Sequence, residues 1–516
     1  MPLTRKALDV IKKTCRIVVP TYNRAVQPAI VHLGVGNFFR SHLACNTDIA
    51  NAASGDEDPW LIHGIGILDI ESEKTAHKIL TQQDCLFGIR SMPNQTDFRI
   101  IGSLARFDWI PSNEHEAQQH SLNSLSAPDT KIVSLTITEK GYCQNLDGSL
   151  DASRADVSAD LQRVRDLAQD PSRTTTGHFE TALGLLAAGL VFRHQNGWSP
   201  VTLLSCDNLP HNGKVLQSLV NEFLDAAAPQ VGDALRDAHG RGAVTFPCSM
   251  VDRITPATTQ SFTAEFANRS GVVDGWPVVA EDFSQWCLED AFAAGRPRWE
   301  NAKQHNVMIV DDVAPFEEMK LKLLNGGHTS IAYLATLIGY TRVDEALADR
   351  RVGQFMRSYM DSVTPTVPDV PGIDLDVYKD QIIARFQNEH ISDQLARLCQ
   401  DGSKKFLGFV VPALHELIRA REAGSASVST AFIADVVAAW IAYLHNTPMS
   451  SVDDPRAEEL SHAANQAVST SNKQRKTDFV AEFLSPIAAN DDKFVSEVCS
   501  SLQILSDDGA ERLLSR

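Results

Sequence analysis

Between positions 315 and 328 the chain reads Pro315-Phe-Glu317-Glu-Met-Lys320-Leu-Lys322-Leu-Leu-Asn325-Gly-Gly-His328, an amphipathic helical pattern interrupted by groups that can handle protons. At about 100° per residue, Glu317, Lys320, Asn325 and His328 project within an arc of about 140°, provided the helix continues through Gly326 and Gly327. Oxidation of an alcohol needs such a set, because a hydroxyl proton and a hydride leave the same carbon. A lysine whose pKa is lowered by desolvation or neighbouring positive charge can take the proton. Amide donors can stabilise the developing alkoxide without a metal. Each residue also has a plainer reading. Lys320 could snorkel from a surface helix beside Lys322, Asn325 could prepare a helix end before the two glycines, and His328 could cap the helix or bond a core group.

A second amide, Asn208, stands at the end of an apolar run in Ser205-Cys-Asp-Asn208-Leu-Pro-His-Asn212-Gly, as an oxygen-polarising donor or as a turn residue. Asp252 and Arg253 lie between hydrophobes in Phe246-Pro-Cys-Ser-Met-Val-Asp252-Arg253-Ile-Thr-Pro256, a pattern shared by a structural ion pair and by a group supporting a site.

Upstream, the strand-like run Ala29-Ile-Val-His-Leu33 leads into Gly34-Val-Gly36-Asn-Phe38-Phe39-Arg40. Glycines in this position let backbone pass close to a pyrophosphate whose charge meets helix N-terminal amides. Phe39 occupies the place of the usual third glycine, so the motif alone serves a bland turn equally well. Arg40 could add a phosphate contact or be a surface charge. After the next strand, Asp69 and Glu71 are candidates for the ribose hydroxyls, which favours NAD over its phosphorylated form. They lie more than 30 residues beyond Gly36, farther than usual, and an extended helix-loop segment including 54–58 accounts for the gap.

These groups need a scaffold. Strands are expected at 29–33, 60–68, 132–137 (closing on Thr138-Glu139, with Glu139 a further cofactor-binding candidate) and 201–204, with helices after Gly36 to Ala50, at 157–167 and at 179–191. Strands with polar ends, separated by helices, make a mostly parallel α/β sheet whose site lies along the carboxyl edge. From Glu317 the pattern turns helical: 317–337, 343–359, 377–388, 391–399, 412–421 and 432–444, with 445–480 as surface loop or solvated helix. The fold class is therefore α/β, a Rossmann-like N-terminal domain (1–295) followed by a mainly helical C-terminal domain (296–516).

The 516 residues suit two domains. A net charge of -18 counts against nucleic acid and anionic membranes as general partners. Nine scattered cysteines, including position 15, form neither a zinc-finger pattern nor a disulfide framework, which points to a reducing cytoplasmic setting and no metal site. No signal-peptide or membrane-spanning stretch is evident, and the acidic surface is compatible with a monomer.

The ordered motifs GVGNFFRSH, SLTITEKGY, SCDNLPHNG, FPCSMVDRITP, WPVVAEDFSQW, FEEMKLKLLNGGH and QLARLCQDGSKKF make the chain resemble the polyol-specific long-chain dehydrogenase/reductase family over about residues 30 to 445. The resemblance implies zinc-independent, reversible hydride transfer between a polyol and NAD, with mannitol and fructose as the leading pair. Arabinitol, sorbitol, phosphorylated mannitol or a hexuronate are the other substrates. It implies Lys320 as general base and acid, Asn208 and Asn325 as the oxyanion pair, His328 as orienter and Glu317 as proton relay. Arg397 and Lys405 correspond to substrate-contacting residues, beside Asp252 as a further substrate-binding candidate. Gly34, Gly36, Phe38 and Arg40 match the family's cofactor loop. Relatives carry a Ser-Glu-Asp setting where this chain has Leu68-Asp69-Ile-Glu71, so Glu71 is the closer positional match and Asp69 the alternative. The non-enzyme reading is an NAD-binding regulator, which has no evident need for the full proton-transfer set.

Overall fold

Short apolar runs collect into a six-stranded parallel sheet in the computed structural model, which describes all residues except 1, 15–16, 55–58, 93–97, 113–114, 146, 171–176, 392, 426–427, 470–471 and 516. Its strands are Ile30–Leu33 (β1), Ile62–Gly66 (β2), Leu104–Trp109 (β3), Ile132–Leu135 (β4), Val201–Ser205 (β5) and Val244–Thr245 (β6). Their spatial order is β3-β2-β1-β4-β5-β6. β1 is central, with Ile30 opposite Ile62 on one side and Ile132 on the other. The four residues of β1 and of β4 are all buried, as expected of parallel strands covered on both faces. The strand order reverses between β1 and β4, and the crevice at such a switch point is where dinucleotides bind in this architecture.

The helix after Gly36 is interrupted at His42, giving Asn37–Ser41 and Leu43–Ser54. Phe39, Leu43 and Ala50 are buried as their spacing predicts. The second helix accounts for part of the long interval between Gly36 and Asp69, whereas residues 55–58 of the anticipated loop lie outside the described residues.

Two smaller sheets accompany the large one. Phe87–Met92 lies between Val278–Glu281 and Arg99–Ile101, and Gln285–Glu289 lies between Ser249–Asp252 and Val307–Val310. The last pairing, Trp286 opposite Val307, ties the chain up to residue 310 into the first unit. The two compact units accordingly divide as Met1–Val313 and Ala314–Arg516, downstream of the expected 295.

The second unit is helical. Gly326–Ile338 packs on Ala431–Asn446 and Arg350–Val363, around an aromatic cluster in which Phe406 stacks on Trp440 at 4.1 Å. The helix expected over 343–359 is broken in two, because Asp349 leaves the helical region and its side chain accepts the Arg351 N–H. Of the helix expected over 391–399, Leu395–Cys399 forms and residue 392 lies outside the described residues. The 445–480 stretch holds two helices, Ala457–Val468 and Lys473–Phe483, which bury Leu460, Ala464, Phe479 and Phe483.

Candidate functional site

The loop leaving β1 is built around Gly34, whose φ of +96° belongs to the left-handed region. A Cβ there would sit 2.2 Å from the Thr136 carbonyl oxygen, because the chain crosses over the end of β4. At Gly36 a Cβ would meet nothing within 4 Å. The two glycines therefore serve different ends: Gly34 makes the turn, and Gly36 leaves open space that suits close approach of a pyrophosphate. We expect Gly34→Ala to lower Tm, with at least about 1–2 kcal/mol from the left-handed backbone alone, and Gly36→Ala to keep Tm while raising the Kd for NADH. The reverse pattern in thermal melts and cofactor titrations would overturn this division.

Phe39 replaces the third glycine for a visible reason. Its ring stacks on buried His32 at 3.9 Å and 16°. His32 Nε2 lies 3.0 Å from the Gly34 carbonyl oxygen and Nδ1 lies 2.8 Å from Ser134 Oγ. The tautomer that donates to Gly34 and accepts from Ser134 satisfies both contacts. Burial holds this imidazole neutral, down at about 3. Phe38 stacks on His42.

Arg40, the candidate phosphate contact, has its guanidinium engaged by groups of the protein itself. Arg40 is fully buried, its guanidinium donates to the Trp276 carbonyl and to Asn37 Oδ1, and it lies 3.9 Å from the Trp276 ring centroid. Burial lowers its pKa to about 9. It holds the Asn37 end of the loop from inside, which a charge pattern cannot reveal.

Asp69 and Glu71 are exposed, Asp69 in the loop after β2 and Glu71 at the first position of the helix Glu71–Gln82. Glu73, two residues on, is a further acidic group at this strand end. Its carboxyl packs where a Gly66 Cβ would point, and burial raises its pKa to about 7 against hydrogen bonds from the Leu68 and Ile67 backbone. Glu139 is exposed just beyond β4, and Asn208 is exposed just beyond β5. Asp252 is buried at the end of its strand. Arg253 donates to the carbonyls of Ser41 and Glu281 and to Ser91 Oγ, so its guanidinium braces three segments of the first unit.

In the second unit the predicted single α-helix is a composite. Ala314–Met319 is α-helical, Lys320–Asn325 is a π-helix, and Gly326–Ile338 resumes the α-helix. The i→i+5 bonding of a π turn rotates the chain less per residue than an α-helix does, so Lys320 and Asn325 lie nearer one face than the 140° arc allowed. Single π turns concentrate at functional sites.

Gly326 and Gly327 do not end the helix. A Cβ on them would lie 2.7 Å from Tyr359 Oη and 2.7 Å from Met356 Cε, so they are there for close helix packing. Lys320 is 6% exposed and Glu317 likewise, which removes the snorkelling reading. Lys322 is also buried but is engaged by Glu318 at 2.8 Å, the Thr366 carbonyl at 2.5 Å and Glu416 at 3.0 Å. Lys322 is thus an anchor between its own helix, the Thr366 carbonyl and Glu416.

Asn325 Nδ2 and His328 Nε2 are buried polar atoms without a hydrogen-bond partner among the described residues. Leaving such buried polar atoms unmet costs about 1–3 kcal/mol each, which suits a site that binds a polar ligand group. His328 stacks on Phe386 at 3.6 Å and 7°. Burial, and then Arg397, Arg385 and Lys405, hold its pKa well below the ordinary imidazole value. The family resemblance supplies Arg397 and Lys405 but not Arg385, which lies on the helix Leu375–Phe386 and, like the other two, reads from sequence as an ordinary surface charge.

Arg397 is exposed and engaged by Asp393. The Lys405 ammonium donates to the Arg397 and Leu398 carbonyls, and its pKa is lowered by burial and then by Arg397. A second π segment, Phe406–Val410, follows Lys405 directly. Pro412 explains its place, since a proline clashes with the carbonyl four residues back and a wider turn relieves this.

Among the described residues no group of three or more His, Cys, Asp or Glu is placed to hold a metal ion, and no helix is long and apolar enough to cross a membrane. Activity is expected to survive exhaustive chelation. Stoichiometric zinc whose removal abolishes turnover would be incompatible with the site.

A dinucleotide-type parallel sheet, followed by a helical unit that carries a buried lysine, an unmet amide nitrogen and an unmet imidazole nitrogen, defines a nucleotide-dependent dehydrogenase. Residues 28–301 match the mannitol dehydrogenase Rossmann domain, and residues 312–506 match the mannitol dehydrogenase C-terminal domain. The chain belongs to the mannitol dehydrogenase family of polyol long-chain dehydrogenases. It is 34% identical to mannitol 2-dehydrogenase of Aspergillus terreus over 512 residues, covering 97% of this chain and 95% of that protein. Among solved structures, Pseudomonas fluorescens mannitol 2-dehydrogenase in ternary complex with NAD and D-mannitol matches at 35% identity and a TM-score of 0.79, over 100% of this chain and 99% of that one. A substrate-free D-sorbitol dehydrogenase matches at 28% identity and a TM-score of 0.83, over 100% of both chains.

Proposed function

We propose that this NAD-dependent oxidoreductase reversibly oxidises a polyol to a ketose, D-mannitol to D-fructose first, with Lys320 as general base in oxidation and general acid in reduction. The observation that carries the reading is the π turn, which begins at buried Lys320 and ends at Asn325 with its amide nitrogen unmet. The relative solved with NAD and D-mannitol supports the choice of cofactor and substrate.

NAD supplies the hydride acceptor for oxidation. Gly34, Gly36 and Phe38 would hold it, with Asp69 or Glu71 at the adenosine ribose, Glu139 as a further contact, and Arg40 bracing the loop from within. Lys320 takes the hydroxyl proton. Asn208 and Asn325 donate to the oxygen as it gains negative charge, His328 orients Lys320 and the substrate hydroxyls, and Glu317 relays the proton towards solvent. Asp252, Arg397 and Lys405 contact the remaining hydroxyls. A cytoplasmic enzyme goes with this reading, and the acidic surface is compatible with a monomer.

One observation favours a second reading. Three cations, Arg385, Arg397 and Lys405, act on His328, and such a field would suit a hexuronate carboxylate or a phosphorylated sugar. An NADH and NADPH consumption screen against fructose, xylulose, sorbose, fructuronate and fructose 6-phosphate separates them. NADH oxidation with fructose as best substrate is expected, and turnover confined to fructuronate or fructose 6-phosphate would replace the first reading by the second.

A further inference from the structure

We propose that Asp207 is a positioning residue that fixes Asn208 by clamping the β5 end to the β4 end, an inference that rests on Asn208 being a donor to the reacting oxygen. Three donors converge on the Asp207 carboxylate: the Ile137 N–H at 3.0 Å and the Tyr142 hydroxyl at 2.9 Å on Oδ2, and the Thr138 N–H at 2.9 Å on Oδ1. The same residue is held through its main chain. Its carbonyl accepts from Asn212 Nδ2 at 3.0 Å and from the Leu209 N–H at 2.9 Å. Asn212 is in turn fixed to Ser249, donating to the carbonyl at 2.8 Å and accepting its N–H at 2.9 Å. The backbone on both sides of exposed Asn208 is therefore held by hydrogen bonds.

The clamp holds something under strain. Thr138 has φ +61°, a conformation in which a β-branched residue is an outlier. Such a residue persists where its surroundings over-determine it, and strained positions of this kind gather at functional sites. Asp207 supplies that constraint by receiving two consecutive N–H groups, of Ile137 and Thr138. A carboxylate is needed because all three donors require acceptors. An amide offers one oxygen, and in either orientation its NH₂ would face a backbone N–H, that of Ile137 or that of Thr138. The adjacent Asp207-Asn208 pair thus divides the labour, with the buried side chain building and the exposed one presented.

The test uses the full-length enzyme with NADH and D-fructose. Asp207→Asn, Asn208→Ala and the double variant are compared by thermal melts, NADH titration and single-turnover hydride transfer. Asp207→Asn is expected to slow hydride transfer by about 10- to 100-fold, with NADH Kd changed less than about threefold, and the double variant to be no slower than Asn208→Ala alone, as coupled neighbours require. Losses that multiply in the double variant, or wild-type hydride transfer in Asp207→Asn, would overturn the clamp while leaving the role of Asn208 intact. Wild-type transfer in Asn208→Ala would overturn both. If Asp207→Asn does not fold, Tyr142→Phe removes one donor from the same carboxylate. A smaller loss that vanishes on an Asn208→Ala background supports the clamp, and a loss that multiplies with it overturns the clamp.

Discussion

Lys320→Ala is expected to lower kcat by about 10²- to 10⁴-fold, the usual worth of a positioned acid–base group, while NADH binding is largely preserved. The lysine is buried at the junction where the α-helix widens into a π turn, with a neighbouring carboxyl one helical turn before it at Glu317. Its removal takes away the proton acceptor without touching the Gly34 and Gly36 loop. His328 cannot take over. Burial and the charges of Arg397, Arg385 and Lys405 hold its pKa well below the ordinary value, so across a window of about pH 6 to 10 it is neutral and a weak base. The wild-type rise of kcat for polyol oxidation with pH should therefore be lost in the variant. Near-normal turnover throughout that window would remove Lys320 from the base role.

How far such a site can be read from residues alone depends on whether local pattern or distant packing decides each position. β1 and β4 are short apolar runs with polar ends, and their burial follows directly from that pattern. β3 does not announce itself. Leu104-Ala-Arg106-Phe-Asp108-Trp109 mixes charge with apolar residues because it is an edge strand, where Arg106 is accommodated beside Asp108. The composite helix was legible as a helix and as a polar arc, but not as a π turn. A uniform 100° period places Lys320 and Asn325 well apart, whereas the wider turn brings them together. Arg40 was beyond reach, because the carbonyl that fixes it comes from Trp276, more than 200 residues away. Arg385 was equally hidden until Phe386 was seen stacked on His328.

The same distinction separates the two asparagines. Asn208 is a candidate from sequence because it ends a strand, whereas its scaffold of Asp207 and Asn212 is hidden there because the bonds run to Ile137, Thr138 and Ser249, on other segments. Asn325 is a candidate from periodicity, which does not reveal that its amide nitrogen is left unmet. An unmet buried donor is a cost to the fold that a bound oxyanion can recover, which links stability to function at one atom.

Asn325→Ala is accordingly expected to slow single-turnover hydride transfer by about 10²- to 10³-fold, the loss that follows removal of one oxyanion donor, while leaving Tm unchanged or slightly raised. A structural asparagine gives the opposite signature, since its removal would strand its partners and lower Tm. Asn208→Ala, at an exposed strand end, should show a comparable loss of hydride transfer with little change in Tm. Both losses belong to the chemical step, because the donors act on the oxygen as it becomes negatively charged, so the KM for the polyol should move less than kcat. Rapid mixing of enzyme, NADH and D-fructose reads the step directly. Unchanged single-turnover transfer in either variant excludes that residue from the oxyanion pair, and a destabilised but chemically competent Asn325→Ala would make its amide a packing group.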